Sequence, residues 1–453
     1  LRPTPMLSFA LRELGCTAGV VVTASHNPPQ YNGYKVYWED GAQITAPKDK
    51  QIITEVQAIT DFAQVKTMSE EDAKAAGLYE VIGEEIDDKY MGALKKLVLR
   101  PEAIKEQADK LKIVYTPLHG TGNIPVRRVL KELGFNNVYV VKEQELPDGD
   151  FPTVSYPNPE DKNAFTLALK LAAEVDADIV LATDPDADRL GIYAKNEKTG
   201  EYESFTGNMS GMLILEYLLS QRKELGMLPE NGAVVTTIVS GKMARAIAKE
   251  YNVELIETLT GFKYIGEQIK FFEQNHDHEF LFGYEESYGC LEGTHARDKD
   301  AVVAVMALCE AAAYYKSKGI TLCEQMQNLY QKYGFYKESL FFQTFQGMEG
   351  KAKIDGLMDA LRNEPPKQVG PFKVTALEDY KKSIRTDIAT GETSALTLPE
   401  SNVLYFELED GAWFCVRPSG TEPKIKYYAG VKGADAQDAT DKLEALSKAV
   451  VEL

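Results

Sequence analysis

Positive charge is scarce in this sequence. It has 69 Asp and Glu residues but only 50 Lys and Arg residues, so its formal net charge is −19. Binding to a nucleic-acid backbone needs a basic surface, and docking to an anionic membrane needs clusters of Lys and Arg. The composition therefore argues against both kinds of partner. An acidic protein can still bind a phosphorylated small molecule if its positive charge is gathered in particular loops.

Cysteines and long apolar runs are also scarce. The five cysteines are scattered and form no CxxC pair, which is typical of reduced thiols in a cytoplasmic protein rather than of a disulfide framework. The longest apolar run, at 301–309, has nine residues, about half the length of a membrane span. Because the apolar character continues past Glu310 to Tyr315, we expect a buried helix there.

The organisation of the chain favours several α/β domains. Its 453 residues suffice for about three or four domains of ordinary size. A β-branched run, a Gly- or Asp-rich loop and a helical stretch recur in that order, which predicts mixed or parallel sheets. In such sheets, ligands bind at loops that follow the carboxyl ends of strands. The predicted strands lie at 20–23, 113–116, 179–183, 234–239 and 280–282, and a separate last unit is expected after 346–370, with strands at 403–408 and 413–416 and a closing helix from Ala434.

The first loop with candidate chemistry is Thr23-Ala-Ser-His-Asn-Pro28. Ser25 lies between a strand end and an Asn-Pro turn, where an exposed hydroxyl with limited backbone freedom suits a serine that accepts and donates phosphate. An ordinary turn or capping serine explains the hexapeptide equally well. Lys35 follows a tight Asn32-Gly33 turn, and it can serve as proton donor or acceptor or simply point into water.

The second loop, Asp184-Pro-Asp-Ala-Asp-Arg189, carries three carboxylates at alternate positions. Such a loop offers the hard oxygen ligands that Mg²⁺ prefers. EF-hand loops begin similarly but need Gly at the sixth position and Glu at the twelfth, which are Arg189 and Lys195 here, so the Ca²⁺ interpretation fails. A solvated acidic turn is the alternative, although the strand in front of the loop favours a site.

Two further loops carry groups that suit a sugar phosphate. The segment Gly283-Tyr-Glu-Glu-Ser-Tyr-Gly289 combines carboxylates with a hydroxyl, and carboxylates accept hydrogen bonds from vicinal hydroxyls. This is a weak signal, because glutamates are common in surface loops. The segment from Arg417 to Lys426 has three positive charges and one negative charge within an acidic chain. Its guanidinium, hydroxyls and Gly-flanked amides are suited to phosphate, so it predicts an anion site.

The four loops, in this order, resemble the active-site loops of the α-D-phosphohexomutase family, which includes phosphoglucomutases and phosphomannomutases. The resemblance covers nearly the whole chain. It implies three related α/β domains with mixed sheets and a C-terminal α+β domain around a central cleft. The corresponding boundaries are 1–100 for the phosphoserine domain, 101–222 for the metal-binding domain, 223–345 for the sugar-binding domain and 346–453 for the phosphate-binding domain.

The resemblance also implies a role for individual residues. Ser25 is the implied phosphoserine, His26 and Lys35 are active-site groups with Lys35 as general base, and Arg189 lies beside the transferring phosphate. Mg²⁺ is implied as the cofactor and glucose 1,6-bisphosphate as the intermediate and activator. The implied metal ligands are Ser25 through its phosphate, Asp184, Asp186 and Asp188; the implied substrate contacts are Glu285, Ser287, Lys263, Lys299, Arg417, Ser419, Gly420 and Thr421.

The sequence departs from the family pattern at two points. Pro185 stands where the family's aspartate loop usually has Gly, and metal binding should survive because the carboxylates supply the ligands. The opening Leu1-Arg-Pro-Thr-Pro resembles the middle of the family's first domain, so we expect an upstream Gly-rich segment with an arginine to be missing. The Glu-Glu-Ser-Tyr and Tyr-Lys-Val-Tyr-Trp segments resemble the phosphoglucomutase and phosphopentomutase branch rather than phosphoglucosamine mutases.

The function implied is phosphoryl transfer within one sugar monophosphate, between α-D-glucose 1-phosphate and glucose 6-phosphate, through phospho-Ser25 and a bisphosphate. A phosphopentomutase or phosphomannomutase would use the same mechanism. A Mg²⁺-dependent phosphatase with an aspartate nucleophile is a rival that needs no Ser25, and a silent sugar-phosphate-binding protein is another. The oligomeric state is not indicated by the sequence.

Overall fold

The computed structural model describes residues 1–345, 348–419 and 424–453. The α-helices within these ranges are α1 (Thr4–Glu13), α2 (Lys48–Ala58), α3 (Glu70–Ala75), α4 (Glu84–Lys95), α5 (Pro101–Gln107), α6 (Asn123–Leu133), α7 (Thr166–Val175), α8 (Gly207–Glu224), α9 (Met243–Tyr251), α10 (Phe262–Asn275), α11 (Ala301–Ser317), α12 (Leu322–Tyr333), α13 (Met348–Asn363) and α14 (Ala436–Val451). The strands are β1 (Ala18–Val22), β2 (Tyr34–Trp38), β3 (Ile113–Thr116), β4 (Val138–Val140), β5 (Ile179–Thr183), β6 (Leu190–Lys195), β7 (Tyr202–Phe205), β8 (Gly232–Thr237), β9 (Glu254–Thr258), β10 (Glu279–Tyr284), β11 (Cys290–Glu292), β12 (Phe335–Thr344), β13 (Gln368–Val369), β14 (Phe372–Asp379), β15 (Ile384–Asp387), β16 (Thr393–Ala395), β17 (Leu404–Leu408), β18 (Trp413–Pro418) and β19 (Lys424–Gly433).

The chain forms two compact units, one of residues 1–235 with 261–323 and the other of residues 236–260 with 324–453. The first unit contains a five-stranded mixed sheet in the order β4-β3-β5-β6-β7. In this sheet β3 runs parallel to β4 and β5, whereas β5, β6 and β7 are antiparallel. Strands β3 and β5 are buried along their whole length, as expected for apolar runs covered on both faces. This arrangement confirms the α/β prediction.

Two hairpins in the first unit carry further candidate loops. Strands β1 and β2 pair antiparallel from Ala18 opposite Trp38 to Val22 opposite Tyr34, and the Ser25 loop connects them. Strands β10 and β11 pair antiparallel with Tyr284 opposite Cys290, and the predicted sugar loop connects them. Each loop is therefore fixed at both ends by a strand of the same ladder.

Helix α11 is the most deeply buried helix of the first unit. Every residue from 301 to 313 is buried, which confirms the helix predicted from the longest apolar run. Asp300 caps its first turn by accepting hydrogen bonds from the amides of Val302 and Val303, at 2.9 and 3.2 Å. In the described parts of the chain, no helix is both long and apolar enough to cross a membrane.

The second unit contains an antiparallel sheet in the order β12-β19-β18-β17-β14-β15-β16, with β13 paired to β14. Its core packs α13 and α14 against the sheet through apolar side chains such as Met358, Phe406, Phe414 and Leu446. Strand β12 pairs with β19 from Phe335 opposite Gly433 to Thr344 opposite Lys424. This sheet therefore includes residues that precede the predicted boundary at 346, and the predicted domain boundaries stay predictions.

Candidate active site

The Ser25 loop is held in a strained conformation. Ser25 has a φ of 54°, in the left-handed region where non-glycine residues are uncommon and cluster at functional sites. Its amide donates to the hydroxyl of Thr23 at 2.8 Å, and the Thr23 amide donates to the carbonyl of Gly33 at 3.1 Å. A Cβ at Gly33 would lie 2.2 Å from the Thr23 carbonyl oxygen. Only glycine therefore allows the two ends of the loop to meet this closely.

The three aspartates of the second loop, here called the aspartate triplet (Asp184, Asp186 and Asp188), lie together directly after β5. All three are buried, and their nearest carboxylate oxygens lie within 4.8 Å of one another. Asp184 Oδ1 accepts hydrogen bonds from the amides of Asp188 and Arg189, at 3.1 and 3.0 Å. The loop thus folds back onto its own first carboxylate.

Ser25 lies directly beside the aspartate triplet. Its hydroxyl donates to Asp184 Oδ2 at 3.1 Å and lies 3.0 Å from His26 Nδ1. Burial, and then the nearby Arg189, lowers the pKa of His26 to about 3. The imidazole is therefore neutral near pH 7, and it can exchange a hydrogen bond with the serine without adding charge.

Two lysines neutralise part of the charge on the triplet. Lys35 Nζ donates to Asp186 Oδ2 at 3.0 Å and to Asp188 Oδ2 at 3.3 Å, and Lys299 Nζ lies 3.2 Å from Asp188 Oδ2. Burial opposes the charged form of Lys35, but Asp188 and Asp186 outweigh it and raise its pKa. The ammonium group is therefore retained while the aspartate charges face it.

The carboxylates themselves respond in opposite directions. Burial, with Asp186 and Asp188 beside it, raises the pKa of Asp184 well above its ordinary value. Burial also acts on Asp188, but the cations Lys299, Lys35 and Arg189 outweigh it and lower the pKa of Asp188. Such divergence within one cluster is typical of functional sites.

The donor set of the triplet fits a hard cation. Within the described part of the chain, Asp186 Oδ1 and Asp188 Oδ1 are buried oxygens without a hydrogen-bond partner, although their Oδ2 atoms are bonded. Buried unpaired acceptors are costly, and divalent ions such as Mg²⁺ and Ca²⁺ take oxygen ligands. The aspartate triplet could therefore hold a metal ion through oxygens that the protein leaves unused.

Arg189 is held at the end of the triplet loop by a residue that the sequence analysis missed. Its Nη1 atom lies 2.7 Å from Glu160 Oε1, and its Nε atom lies 3.9 Å from Asp188 Oδ1. The Tyr-Pro-Asn-Pro-Glu segment that ends in Glu160 was the available signal, because prolines fix the backbone of a loop. Thr4, which donates to Asp186, was also missed.

The predicted sugar loop lies next to the triplet. Glu285 is buried and accepts from the amide of Gly261 at 3.0 Å, and burial raises its pKa. Ser287 is half-buried in the same loop, and the carbonyl of Tyr288 accepts from the amide of Leu190 at 2.9 Å. A Cβ at Gly289 would lie 2.0 Å from the Lys299 side chain, so the loop is shaped around that lysine.

The remaining predicted substrate contacts that the structure describes belong to both units, Lys263 to the first and Arg417 and Ser419 to the second. Lys263, in the first turn of α10, lines a cavity of about 370 Å³ with Trp38 and Glu267. In the second unit, Arg417 in β18 lies opposite Lys426 in β19, and the Ser419 amide donates to the Lys424 carbonyl at 2.8 Å. The predicted residues Gly420 and Thr421 lie outside the described residues.

Known proteins resemble this chain along most of its length. Sequence models for the four domains of phosphoglucomutase/phosphomannomutase match it, namely α/β/α domain I at 1–62, domain II at 88–199, domain III at 206–333 and the C-terminal domain at 362–446. A phosphoglucomutase of Staphylococcus epidermidis is 40% identical over 432 residues, which are 95% of this chain and 76% of that protein. A phosphoglucomutase of Staphylococcus aureus is 38% identical over 447 residues, 98% of this chain and 78% of that protein.

A solved structure shows the same fold. The putative phosphomannomutase of Thermus thermophilus superposes with a TM-score of 0.68 at 20% identity, covering all of this chain and 81% of that one. The matched domains and the identity to the staphylococcal proteins confirm the resemblance found in the four loops. The chain belongs to the phosphoglucomutase/phosphomannomutase family.

Proposed function

We propose that this protein interconverts α-D-glucose 1-phosphate and glucose 6-phosphate through a phosphorylated Ser25. One observation carries the proposal: the Ser25 hydroxyl lies 3.1 Å from Asp184, the first member of a buried triplet of carboxylates that suits a metal ion. The hydroxyl that would accept the phosphate therefore lies beside the carboxylates that would hold the charge-compensating metal ion. The preference for glucose rests on the relatives named phosphoglucomutase at about 40% identity.

In the proposed reaction, a hydroxyl of the bound sugar attacks the phosphorus of phospho-Ser25. The new bond forms to the sugar oxygen and the bond from phosphorus to Ser25 Oγ breaks. The hydroxyl proton passes to Lys35, which returns it to the leaving Ser25 Oγ. Lys35 must be neutral to accept it, so this role requires that the aspartate charges that raise its pKa are offset first. Mg²⁺, held by the aspartate triplet and the Ser25 phosphate, would supply that offset and would also compensate charge on the transferring group.

The reverse transfer completes the cycle. The bisphosphate, glucose 1,6-bisphosphate, reorients and returns its other phosphate to Ser25, while Arg189 and His26 stay beside the transferring group. Glu285 can accept hydrogen bonds from sugar hydroxyls, since a carboxylate oxygen is an acceptor only. The remaining proposed contacts are Ser287, Lys263 and Lys299 for the sugar and its phosphate, and Arg417, Ser419, Gly420 and Thr421 for the phosphate that does not react.

We further propose a cytoplasmic location and small sugar phosphates as the ligands. None of the five cysteines, all of which lie among the described residues, forms a disulfide, and four of them are buried, which suits a reducing compartment. The net charge of −19 disfavours nucleic acid and anionic membranes as partners.

A coupled mutase assay on a panel of substrates tests the function. Glucose 1-phosphate should be the best substrate, followed by pentose 1-phosphate, and mannose and glucosamine phosphates should be poorer. Ser25→Ala should abolish turnover, whereas Ser220→Ala, which removes a serine hydroxyl in α8, should leave it unchanged. A preference for ribose or deoxyribose phosphate would reassign the substrate and leave the mechanism standing. Full activity of Ser25→Ala, or release of inorganic phosphate as the main product, would contradict the mechanism.

A further inference from the structure

One carboxylate oxygen of the triplet receives an unusual number of hydrogen bonds. Asp186 Oδ2 accepts from Thr4 Oγ1 at 3.1 Å, from Thr23 Oγ1 at 3.2 Å and from Lys35 Nζ at 3.0 Å. Asp186 Oδ1, in contrast, is buried and has no partner among the described residues. The three donors fix the carboxylate by one oxygen and leave the other free.

Thr4 makes a second bond to the same residue. Its amide donates to the Asp186 carbonyl oxygen at 2.9 Å. Thr4 follows Pro3, the N-cap of α1, and is the first residue of the helix, where an amide has no partner inside its own helix. Thr4 therefore holds Asp186 at two points. Its backbone amide binds the Asp186 carbonyl, and its hydroxyl binds the Asp186 carboxylate.

The Thr4 hydroxyl lies at the start of α1 without serving the helix itself. It does not cap α1, since the N-cap position is Pro3 and the helix shows no side-chain cap. Thr4 is completely buried, and its hydroxyl reaches a carboxylate 182 positions away. Thr23 is a less specific residue to test, because its hydroxyl also accepts a hydrogen bond from the Ser25 amide.

We propose that Thr4 is a positioning residue for the metal ion of the proposed reaction. By holding Asp186 Oδ2, the Thr4 hydroxyl keeps Asp186 Oδ1 directed at the metal position, so that Asp186 binds through a single oxygen. The inference rests on the proposed metal role of the aspartate triplet. Groups that orient a metal ligand typically contribute 10- to 100-fold to metal affinity, which is the effect expected of the Thr4 hydroxyl.

The test is direct titration of the protein with Mg²⁺ by calorimetry, supported by Mn²⁺ binding measured by electron paramagnetic resonance. Thr4→Val keeps the shape and the backbone amide but removes the hydroxyl, and it should weaken Mg²⁺ binding about 10- to 100-fold. Thr4→Ser keeps the hydroxyl and should bind within about threefold of the wild type. The mutase activity of Thr4→Val should recover as the Mg²⁺ concentration is raised.

A matched control is Thr45→Val. The Thr45 hydroxyl donates to Glu267 at 2.8 Å, outside the triplet, so its removal should leave Mg²⁺ affinity unchanged. If Thr4→Val does not fold, Thr4→Ala carries the same expectation. Unchanged affinity in Thr4→Val, or equal losses in Thr4→Val and Thr4→Ser, would overturn the inference. A wild-type protein that fails to bind Mg²⁺ would instead overturn the proposed metal role on which the inference depends.

Discussion

The charges around the aspartate triplet predict that metal and phosphate bind cooperatively. Three carboxylates face three cations in the structure, namely Lys35, Lys299 and Arg189. Arg189 also faces Glu160 and Lys299 also faces Asp298, so the cations and carboxylates of the site are shared in one network. A phosphate on Ser25 adds a charge of about −1.5 to −2, and Mg²⁺ adds two positive charges. Either ligand alone therefore adds uncompensated charge to a largely buried site, whereas the charges of the two ligands together nearly cancel.

The magnitude follows from the position of the site. Unit charges about 4 Å apart interact by about 4 kcal/mol at the effective dielectric of a protein surface. Desolvation and the partial exposure of Ser25 to solvent reduce this interaction energy. A charge-assisted hydrogen bond, which is subject to the same losses, contributes about 1.5–3 kcal/mol. We therefore expect Ser25 phosphorylation to tighten Mg²⁺ binding about 10- to 150-fold, and Mg²⁺ to favour the phosphorylated form by the same factor.

Calorimetric titration of two defined forms measures this coupling. The phosphorylated form is prepared with glucose 1,6-bisphosphate and the other with a phosphatase, and the phosphate content of each is checked by intact mass. Ser25→Ala, treated with the bisphosphate in the same way, should retain the weaker affinity. Dissociation constants within about threefold of each other in the two forms would refute the reasoning, because the phosphate would then not share the charge balance of the triplet.

Three further predictions concern separate parts of the chain. Chelation with EDTA should abolish mutase activity, and added Mg²⁺ should restore it. Asp186→Asn should raise the Mg²⁺ concentration needed for half-maximal rate. Mutase activity that is unaffected by EDTA would contradict the metal role. Arg417→Ala should lower kcat/KM about 10- to 150-fold in both directions while Ser25 stays phosphorylated, and a loss below about threefold would mean that the non-reacting phosphate is bound elsewhere. Burial raises the pKa of Glu292 to about 8 from 4.5, so between these two pH values the folded state holds a proton that the unfolded state has lost. The contribution of Glu292 to stability is therefore complete below about pH 4.5 and is lost as the pH rises through about 8. Glu292→Gln keeps the neutral form at every pH, so it should match the wild type near pH 5 and melt about 2–4 °C higher near pH 9; an equal difference at both pH values would contradict the assignment.

The strands and loops of the site could be predicted because their signals are local. The strand β5 (Ile179–Thr183) has the bounds that its β-branched run indicates. The strand β8 begins and ends earlier than its apolar run at 234–239 suggests. A turn closed by the Ser240 amide and the Thr237 carbonyl ends it at Thr237, and such a turn depends on a side-chain and backbone arrangement that composition does not specify.

Contacts between distant loops could not be predicted from spacing. The Ser25 hydroxyl and Asp184 are 159 positions apart, and only the family resemblance brought them together in advance. Thr4 and Glu160 were missed because a single threonine or glutamate carries no pattern of its own. Their roles follow from which buried oxygen or guanidinium lies within reach in the folded chain.

Transfer of the Ser25 phosphate to the sugar tests the central claim most directly. Phosphorylated protein is mixed with one equivalent of glucose 6-phosphate and Mg²⁺, and the intact mass of the protein and the sugar products are followed through a single turnover. The account predicts that phosphate leaves Ser25 as glucose 1,6-bisphosphate forms, and that Ser25 is phosphorylated again as glucose 1-phosphate appears. Release of inorganic phosphate, or formation of glucose 1-phosphate while the original Ser25 phosphate stays in place, would contradict it.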